Sequence, residues 1–448
     1  MAEQGSILKE ETVRDASPTY SAGVCIATAE GVPLGYKRTE VGVIPEDWDV
    51  VSIGELAKTY SGGTPSTNRP EYYGGDIPWI TSSDLNHRTI SEPEGRITRL
   101  GLEKSSAKLV EPGTLVVALY GATAGVSAIT HVQAAINQAV LAIVTKNASA
   151  KFLLNMLSFK KNEYVEKLTQ GGQPNLSGAL VRSIKVPAPS EEEQCAIATA
   201  LSDADALIAS LDRLIAKKRA IKQAAMQQLL TGQTRLPGFT DEWGTERLGE
   251  IADIRSGGTP STAMPAFWNG DVPWCTPTDI TELGGRKYLS GTERTISHAG
   301  LRASSAESMP SGSIIMTTRA TIGECAINTV PMTTNQGFKN LIPSSCDAEF
   351  LYYLMTTKKA QLIQLCGGST FLEIGKKSLL AFEVALPQSH QEQQAIATVL
   401  SDMDSEVEAL EHRRYKARQL KQGMMQQLLT GRVRLVEPEV ENVREASA

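Results

Sequence analysis

The sequence predicts an α/β chain: two repeated mixed α/β domains, separated by two long α-helices that pair as an antiparallel coiled coil. Three observations carry this. One stretch, Glu191 to Gly232, holds a helical apolar period without Pro or internal Gly. The stretch recurs near the C-terminus. A domain-sized repeat precedes each copy.

The first stretch steps through Ile197, Leu201, Ala204, Ile208, Leu211 and Ile215 by fours and threes, the spacing of a coiled-coil seam. At ~1.5 Å per residue it would run ~60 Å, too long for the interior of one ordinary domain. Ser190 suits the N-cap, and Glu191 to Glu193 suit the positive end of the helix dipole. Gly232 suits the position just past the end. The second copy repeats Ala196–Thr199 as Ala395–Thr398 and Met226–Gly232 as Met425–Gly431. Its seam is Ile396, Leu400, Met403, Val407 and Leu410. Each seam needs a partner, and the other copy is the nearest.

Charge suggests the direction. The first helix is acidic from Ser190 to Asp205 and basic from Arg213 to Arg235; the second repeats the gradient. Antiparallel packing sets acid against base at both ends. A lone helix also favours this gradient through its dipole.

The domain repeat begins near Glu40. Ser61–Thr67 matches Ser256–Thr262 without a change, and Asp76–Trp79 matches Asp271–Trp274. Asn137-Gln138 matches Asn335-Gln336. Between these the copies diverge: Gly121 is set against Arg319, and Gly171–Leu176 against Gly367–Leu372. Leu115–Leu119, Ser313–Met316 and Val140–Val144 read as buried strands, and Phe152–Leu168 and Phe350–Gln364 as helices. The expected organisation is a leader (1–36), a first domain (37–189), a long helix and linker (190–236), a second domain (237–388), a second helix (389–435) and an acidic tail (436–448).

Composition excludes several classes. No apolar run approaches the ~20 residues of a membrane span, and the N-terminus lacks a signal-peptide layout. The six cysteines are scattered, which predicts reduced thiols and a cytoplasmic protein. The five histidines lack metal-ligand spacing. The net charge of −6 argues mildly against nucleic acid, although phosphate binding needs only a local basic surface.

The candidate contacts follow from residue chemistry. Ser61, Gly62, Gly63 and Thr64, with Ser256, Gly257, Gly258 and Thr259, could cradle a phosphate through backbone N–H groups. The same letters make an ordinary tight turn, the simpler reading. Asn137, Gln138, Asn335 and Gln336 are amides able to read adenine or to satisfy buried backbone. Arg319 suits guanine, a phosphate or plain solvent. Gln173 and Asn175, in a divergent stretch, complete the set. Lys217, Lys218, Arg219, Arg413 and Arg414 read as solvated helix faces, with partner docking as the second reading. No P-loop, HExxH, GxGxxG or methyltransferase Asn-Pro-Pro motif is present, so neither catalytic nor metal residues are assigned.

Two diverging domains alternate with near-identical helices. Each helix is introduced by Pro and a Glu-Gln stretch (Pro187–Gln194, Pro387–Gln393) and closed by Gln-Leu-Leu-Thr-Gly. With the paired SGGTPS and IPW/VPW stretches, the chain resembles the specificity subunit of type I restriction–modification systems over about residues 37–435. The resemblance implies two target recognition domains, each reading one half of a split DNA sequence. It implies helices that act as spacer and docking surface for two methyltransferase subunits, and a separate restriction subunit. It places S-adenosylmethionine in the methyltransferase, ATP and Mg in the restriction subunit, and no cofactor in this chain. The competing expectation is a coiled-coil scaffold that joins two protein partners and binds no DNA.

If the helices measure the gap between half-sites, lengthening them changes it. Four residues inserted after Ala209 and after Glu408 add ~6 Å of rise. The gap is expected to widen by one or two base pairs, at ~3.4 Å each, with one favoured because two would ask the DNA to rotate by ~70° at ~10 base pairs per turn, and with the half-site bases unchanged. Sequencing the methylated motif of this variant checks it; an active variant with unchanged spacing removes the ruler role.

Overall fold

The computed structural model describes residues 32–146, 148–168, 175–366 and 372–437. The chain divides into two units. The first runs to Leu207 and resumes at Ala417; the second is Ile208–Lys416.

In the first unit, strand Asp49–Ser52 pairs antiparallel with Lys185–Ala188, so the start and finish of the domain meet. Between them lies a five-stranded sheet in the order Ala57–Ser61, Val140–Thr145, Leu115–Ala118, Ser127–Thr130, Thr89–Ile90. It is antiparallel except for its last pair. A smaller sheet orders Gly95–Ile97, Tyr73–Ile80, Ala134–Ile136 and Lys108–Val110. The apolar run from Leu115 to Ala118 is buried throughout, as expected of a strand covered on both faces. One face packs on helix Ala150–Phe159 through Phe152, Leu153, Met156 and Leu157.

The second unit repeats this. Trp243–Arg247 pairs with Glu383–Pro387. The five-stranded order is Ala252–Ser256, Phe338–Pro343, Ile314–Thr317, Cys325–Asn328, Tyr288–Leu289. The expected strands are therefore present. The expected helices are each broken in two: Ala150–Phe159 and Lys161–Leu168, Ala348–Thr357 and Lys359–Gln364. Lys160 (φ −97°, ψ 10°) and Lys358 (φ −91°, ψ 4°) leave the α region. The apolar period continues across the break, which is why the sequence reads as one helix. In the first unit the break turns Tyr164 onto the Gly125 carbonyl, 2.6 Å away.

The long helices are Glu191–Leu229 and His390–Leu428, each of 39 residues. Gly232 and Gly431 follow them with φ of +70° and +67°, the left-handed cap that Gly supplies without a Cβ clash. A Cβ on Gly431 would sit 2.4 Å from the Pro45 ring.

Each unit shows the antiparallel direction by itself. In the second unit Asp212 pairs with Arg414, Lys218 with Glu406, Lys222 with Asp404 and Arg235 with Glu392. One residue number rises as the other falls. In the first unit Glu193 pairs with Arg434 and Asp205 with Lys421. Beneath the charges, Ile197, Leu201, Met425 and Leu428 share one core, and Ile396, Leu400, Leu229 and Leu230 another.

Further polar side-chain contacts seat each domain on its helix segment. Arg88 donates to Asn155 (2.6 Å) and lies 3.6 Å from Asp205. In the second unit buried Lys287 donates to Glu349 (2.7 Å) and Ser401 (2.9 Å), while Tyr353 donates to Asp404 (2.7 Å). The Lys287 and Tyr288 hydrogen bonds hold Glu349 below its ordinary pKa, against the upward push of burial.

Among the described residues, a deeply buried ion pair is formed by Glu193, with its side chain 1% exposed, between Arg434 and the Trp48 indole N–H. Removing one partner of such a pair strands the other charge. Arg434→Met is expected to destabilise the first unit by about 3 kcal/mol, and Lys218→Met, in an exposed pair, by less than about 1 kcal/mol. Urea unfolding followed by hydrogen exchange within the unit checks the contrast.

Candidate nucleic-acid interface

The identical SGGT stretches leave the sheets at the same edge. Strand Ala57–Ser61 ends with Ser61 opposite Leu141, and Ala252–Ser256 ends with Ser256 opposite Lys339. The glycines then pass against neighbouring chain. A Cβ on Gly62 would lie 1.7 Å from the Ile136 carbonyl oxygen, and one on Gly63 2.0 Å from Ser106 Oγ. On Gly257 it would lie 1.8 Å from the Asn335 carbonyl oxygen, and on Gly258 2.3 Å from the Ala306 nitrogen. The Gly63 N–H donates to Ile136 (3.1 Å) and the Gly258 N–H to Thr334 (2.9 Å). These N–H groups are used inside the domain. Gly is present because only a bare backbone fits the gap, so the structure favours the tight turn over the phosphate cradle.

The next residue turns outward. Thr64 Oγ1 donates to Gln138 Oε1, and Thr259 Oγ1 donates to Gln336 Oε1. The same pair forms in both domains, between stretches that the sequence reading treated separately. Beside each Gln, the Asn shapes the backbone. Asn137 Oδ1 accepts from the Ala139 N–H (3.0 Å) and Asn335 Oδ1 from the Gly337 N–H (2.8 Å), the local bonding that makes Asn a turn residue. Bidentate adenine reading uses a carbonyl and an amide together. Here every carbonyl of the four amides already accepts a bond. What Gln138 and Gln336 offer at the surface is N–H, which suits an acceptor.

The loop after the central strand completes the edge. The Leu119 N–H donates to Ala139 and the Leu176 N–H to Leu119, both 2.8 Å. Tyr120, 40% exposed, bridges Asn175. In the second domain the Thr318 N–H donates to Gly337 (2.8 Å) and the Ile374 N–H to Thr318 (3.3 Å), and Arg319 bridges Glu373. Arg319 is thus the counterpart of Tyr120, not of Gly121, and Leu176 is the counterpart of Ile374, not of Leu372. The second copy is one residue shorter before Gly323, and backbone pairing rather than matching letters fixes the register. Gly121 corresponds to Ala320, and both hold positive φ, +72° and +57°.

Arg319 Nη2 donates to Glu373 Oε2 at 2.6 Å. Lys339 Nζ lies 3.5 Å from Glu373 Oε1, with its side chain 8% exposed. The Arg319 hydrogen bond holds the Glu373 carboxyl below its ordinary range. Tyr120, Glu373 and Lys339 escaped the sequence reading. Lys339 lies in a strand whose mixed residues, Phe-Lys-Asn-Leu-Ile-Pro, show no apolar run, and the other two become visible only once the bridges are known. Gln173 lies outside the described residues.

The basic helix residues divide. Lys218 pairs with Glu406 (2.6 Å), Arg219 with Glu411 and Arg414 with Asp212 (3.0 Å). Lys217 and Arg413 are exposed. Among the described residues no His, Cys, Asp or Glu group has the arrangement to hold a metal.

Comparison with known proteins gives a consistent result. The family model described as type I restriction modification DNA specificity domain matches twice, over residues 45–218 and 240–417. The chain is 40% identical over 179 residues to the type I restriction enzyme MjaIX specificity subunit of Methanocaldococcus jannaschii, covering 39% of this chain and 41% of that protein. It is 24% identical over 425 residues to the MjaVIII specificity subunit of the same organism, covering 88% and 94%. A solved chain from a study of assembly and conformational transition of the type I system has a TM-score of 0.58 at 20% identity, covering 87% of this chain and 99% of its own. The type I S subunit from M. genitalium has a TM-score of 0.55 at 14% identity, covering 85% and 96%.

The two roles of the SGGT stretch separate experimentally. Gly62→Ala must displace backbone and is expected to destabilise the first domain by about 2 kcal/mol. Thr64→Val, which frees the Gln138 amide at the surface, is expected to change stability by less than about 1 kcal/mol. Thermal unfolding of the two variants decides it; equal losses would make the Thr–Gln pair structural.

Proposed function

The chain belongs to the type I restriction–modification DNA specificity family, and from this premise we propose how it serves as the DNA specificity subunit of such a complex. Each domain reads one half of a bipartite, asymmetric duplex target. The helix pair docks two methyltransferase subunits and, with them, restriction subunits. Of the five basic residues singled out on the helices, Lys217 and Arg413 are exposed and are proposed to meet a partner.

The observation that carries this reading is the shared edge with unequal side chains. Both domains place a Thr–Gln pair beside an Asn turn, on the same backbone frame. Next to it one domain presents Tyr120 and the other Arg319. A constant donor beside a variable side chain is what reading two different half-sites on one kind of backbone requires, since phosphate contacts position and base contacts specify. A scaffold that binds no DNA needs no such edge, and the family match does not favour it.

The chemistry is assigned to the partners. S-adenosylmethionine belongs to the methyltransferase, ATP and Mg to the restriction subunit, and this chain carries neither a cofactor nor catalytic residues. Its place of work is the cytoplasm. No helix among the described residues is long and apolar enough to cross a membrane.

Replacing Glu46–Lys185 with the matching region of a relative is the direct test. The methylated motif is expected to change in one half only; a change in both halves sinks the one-domain, one-half assignment. The purified chain alone is expected to transfer no methyl group and to cut no DNA. With its methyltransferase partner, it is expected to shift target duplex with an affinity that falls steeply as salt rises. Activity of the verified-pure chain, or a salt-independent shift, contradicts the assignment.

A further inference from the structure

We propose that Arg319, aimed by Glu373 and Lys339, is the base-reading residue of the second domain and takes the acceptor edge of a guanine. The proposal rests on the DNA-reading function above and names the residue that performs it.

Four observations converge on Arg319. The first is place. Its neighbour Thr318 donates to Gly337, and the Arg319 side chain passes within 3.8–3.9 Å of where a Cβ on Gly337 would stand. Arg319 therefore stands beside Gln336, which presents its amide on the shared edge. The second is charge. Glu373 is bracketed by Arg319 on one oxygen and Lys339 on the other. Two cations and one carboxylate leave the cluster net positive. Buried Lys339 alone balances Glu373, so Arg319 can turn to an incoming acceptor without stranding a carboxylate. The first copy has Leu141 in place of Lys339, opposite the corresponding serine. The buried lysine is thus particular to the domain that carries the arginine.

The third observation is backbone. Ala320 follows Arg319 with φ of +57°, where the first copy has Gly121 at +72°. A residue with a Cβ avoids this region, and such conformations persist where the surroundings impose them, often at functional sites. Here the imposed turn fixes the direction in which Arg319 leaves the sheet. The fourth is donor geometry. Glu373 takes one Nη2 donor at 2.6 Å. The Arg319 side chain is 46% exposed, and the rest of its guanidinium fork is left for a ligand with two acceptors side by side. Guanine O6 and N7 form that pair in the major groove.

A phosphate would also accept from arginine. The comparison of the copies decides between them. Phosphates are alike in both half-sites, so a phosphate contact is expected at the positions the two domains share. Arg319 stands where they differ, opposite uncharged Tyr120.

The test selects duplexes from a randomised pool with the full chain bound to its methyltransferase partner. It compares wild type with Arg319→Ala, Arg319→Lys and Glu373→Gln. Arg319→Lys keeps the charge and a bond to Glu373 but loses the fork. Arg319→Ala is expected to lose preference for guanine at one position of one half-site by ~10- to 100-fold, and Arg319→Lys, which can still donate to guanine but without the fork, by a smaller factor, with the other half unchanged. Glu373→Gln is expected to relax the same position by a smaller factor. Guanine preference retained in Arg319→Ala overturns the proposal, and an equal loss across all sequences with a shallower salt dependence overturns it by making the residue a phosphate contact. An unaltered motif in Glu373→Gln overturns the positioning role. A wild-type complex that enriches no motif at all overturns the DNA-reading function itself, a result distinct from the others.

Discussion

Each unit depends on a carboxylate buried in the first turn of a long helix. Glu193 accepts from Trp48 (3.0 Å) and from Arg434 Nε and Nη2 (both 2.7 Å). Glu392 accepts from Arg235 Nε and Nη2 (2.6 and 2.7 Å) and from Trp243 (3.4 Å). A carboxylate so enclosed must be paired, since its charge cannot reach water. The helix dipole favours it at that end, and the planar fork of arginine engages both its oxygens. Each arginine comes just after the glycine that ends the opposite helix. One interaction therefore ties the start of one helix to the finish of the other. It fixes their antiparallel direction and register before any surface pair is considered. The tryptophan adds the edge of the domain to the same knot. Arg434 also grips Asp47 with two bonds (2.9 and 2.8 Å), and together these partners push its pKa up.

With that frame fixed twice, the domains are free to differ at the edge that carries Tyr120 and Arg319. The two central sheets share strand order but not chemistry. Strand Val140–Thr145 is apolar and buried through Ile143, while its counterpart, Phe338–Pro343, buries Lys339 and Asn340. Burying a lysine is costly unless it is paired, and Glu373 supplies the pair. Asn340 donates to Thr334 Oγ1 at 2.9 Å. The polar core of the second domain thus supports the cation at its rim, and the apolar core of the first supports a tyrosine.

Much of this was legible in the sequence. The helices, their caps and their direction follow from apolar period, Gly232 and Gly431, and the sorting of acid from base. The repeat made the two domains visible. What escaped has a physical cause in each case. The breaks at Lys160 and Lys358 are changes of backbone angle that interrupt no apolar period. The reading of Gly62 and Gly63 as a phosphate cradle could not be set aside until the close approach of Ile136 and Ser106 was seen. The pairing of Arg319 with Tyr120 was misread because one copy lacks a residue in a turn, and matching letters carry no information about ladder bonds. The sequence shows the buried Glu193 only as a first-turn acid and Glu392 only as part of the acidic half of its helix. Their partners lie 241 and 157 residues away, at distances where a single sequence shows nothing.

The division between constant and variable residues has a consequence for how such domains diverge. On the proposed reading, the Thr–Gln pair and the Asn turn meet features common to any duplex, so a change there weakens every target alike. Positions 120 and 319 sit on corresponding turns of the two domains, and the backbone that places them is held by main-chain bonds. Leu119 and Thr318, one residue earlier, make the main-chain bonds to the neighbouring turn and to the following segment. Side chains at 120 and 319 can then be exchanged while the backbone bonds that place them persist. Exchange is not unlimited, because a charged reader needs its own support. Arg319 comes with Glu373, and Glu373 with Lys339, a chain of dependence from the surface into the sheet. Tyr120 needs no charge partner, and the corresponding interior is apolar. On the proposed reading, placing a charged reader at position 120 of the first domain would therefore require coordinated change at the rim and in the core, whereas exchanging Tyr120 for another neutral side chain would need change at the rim alone.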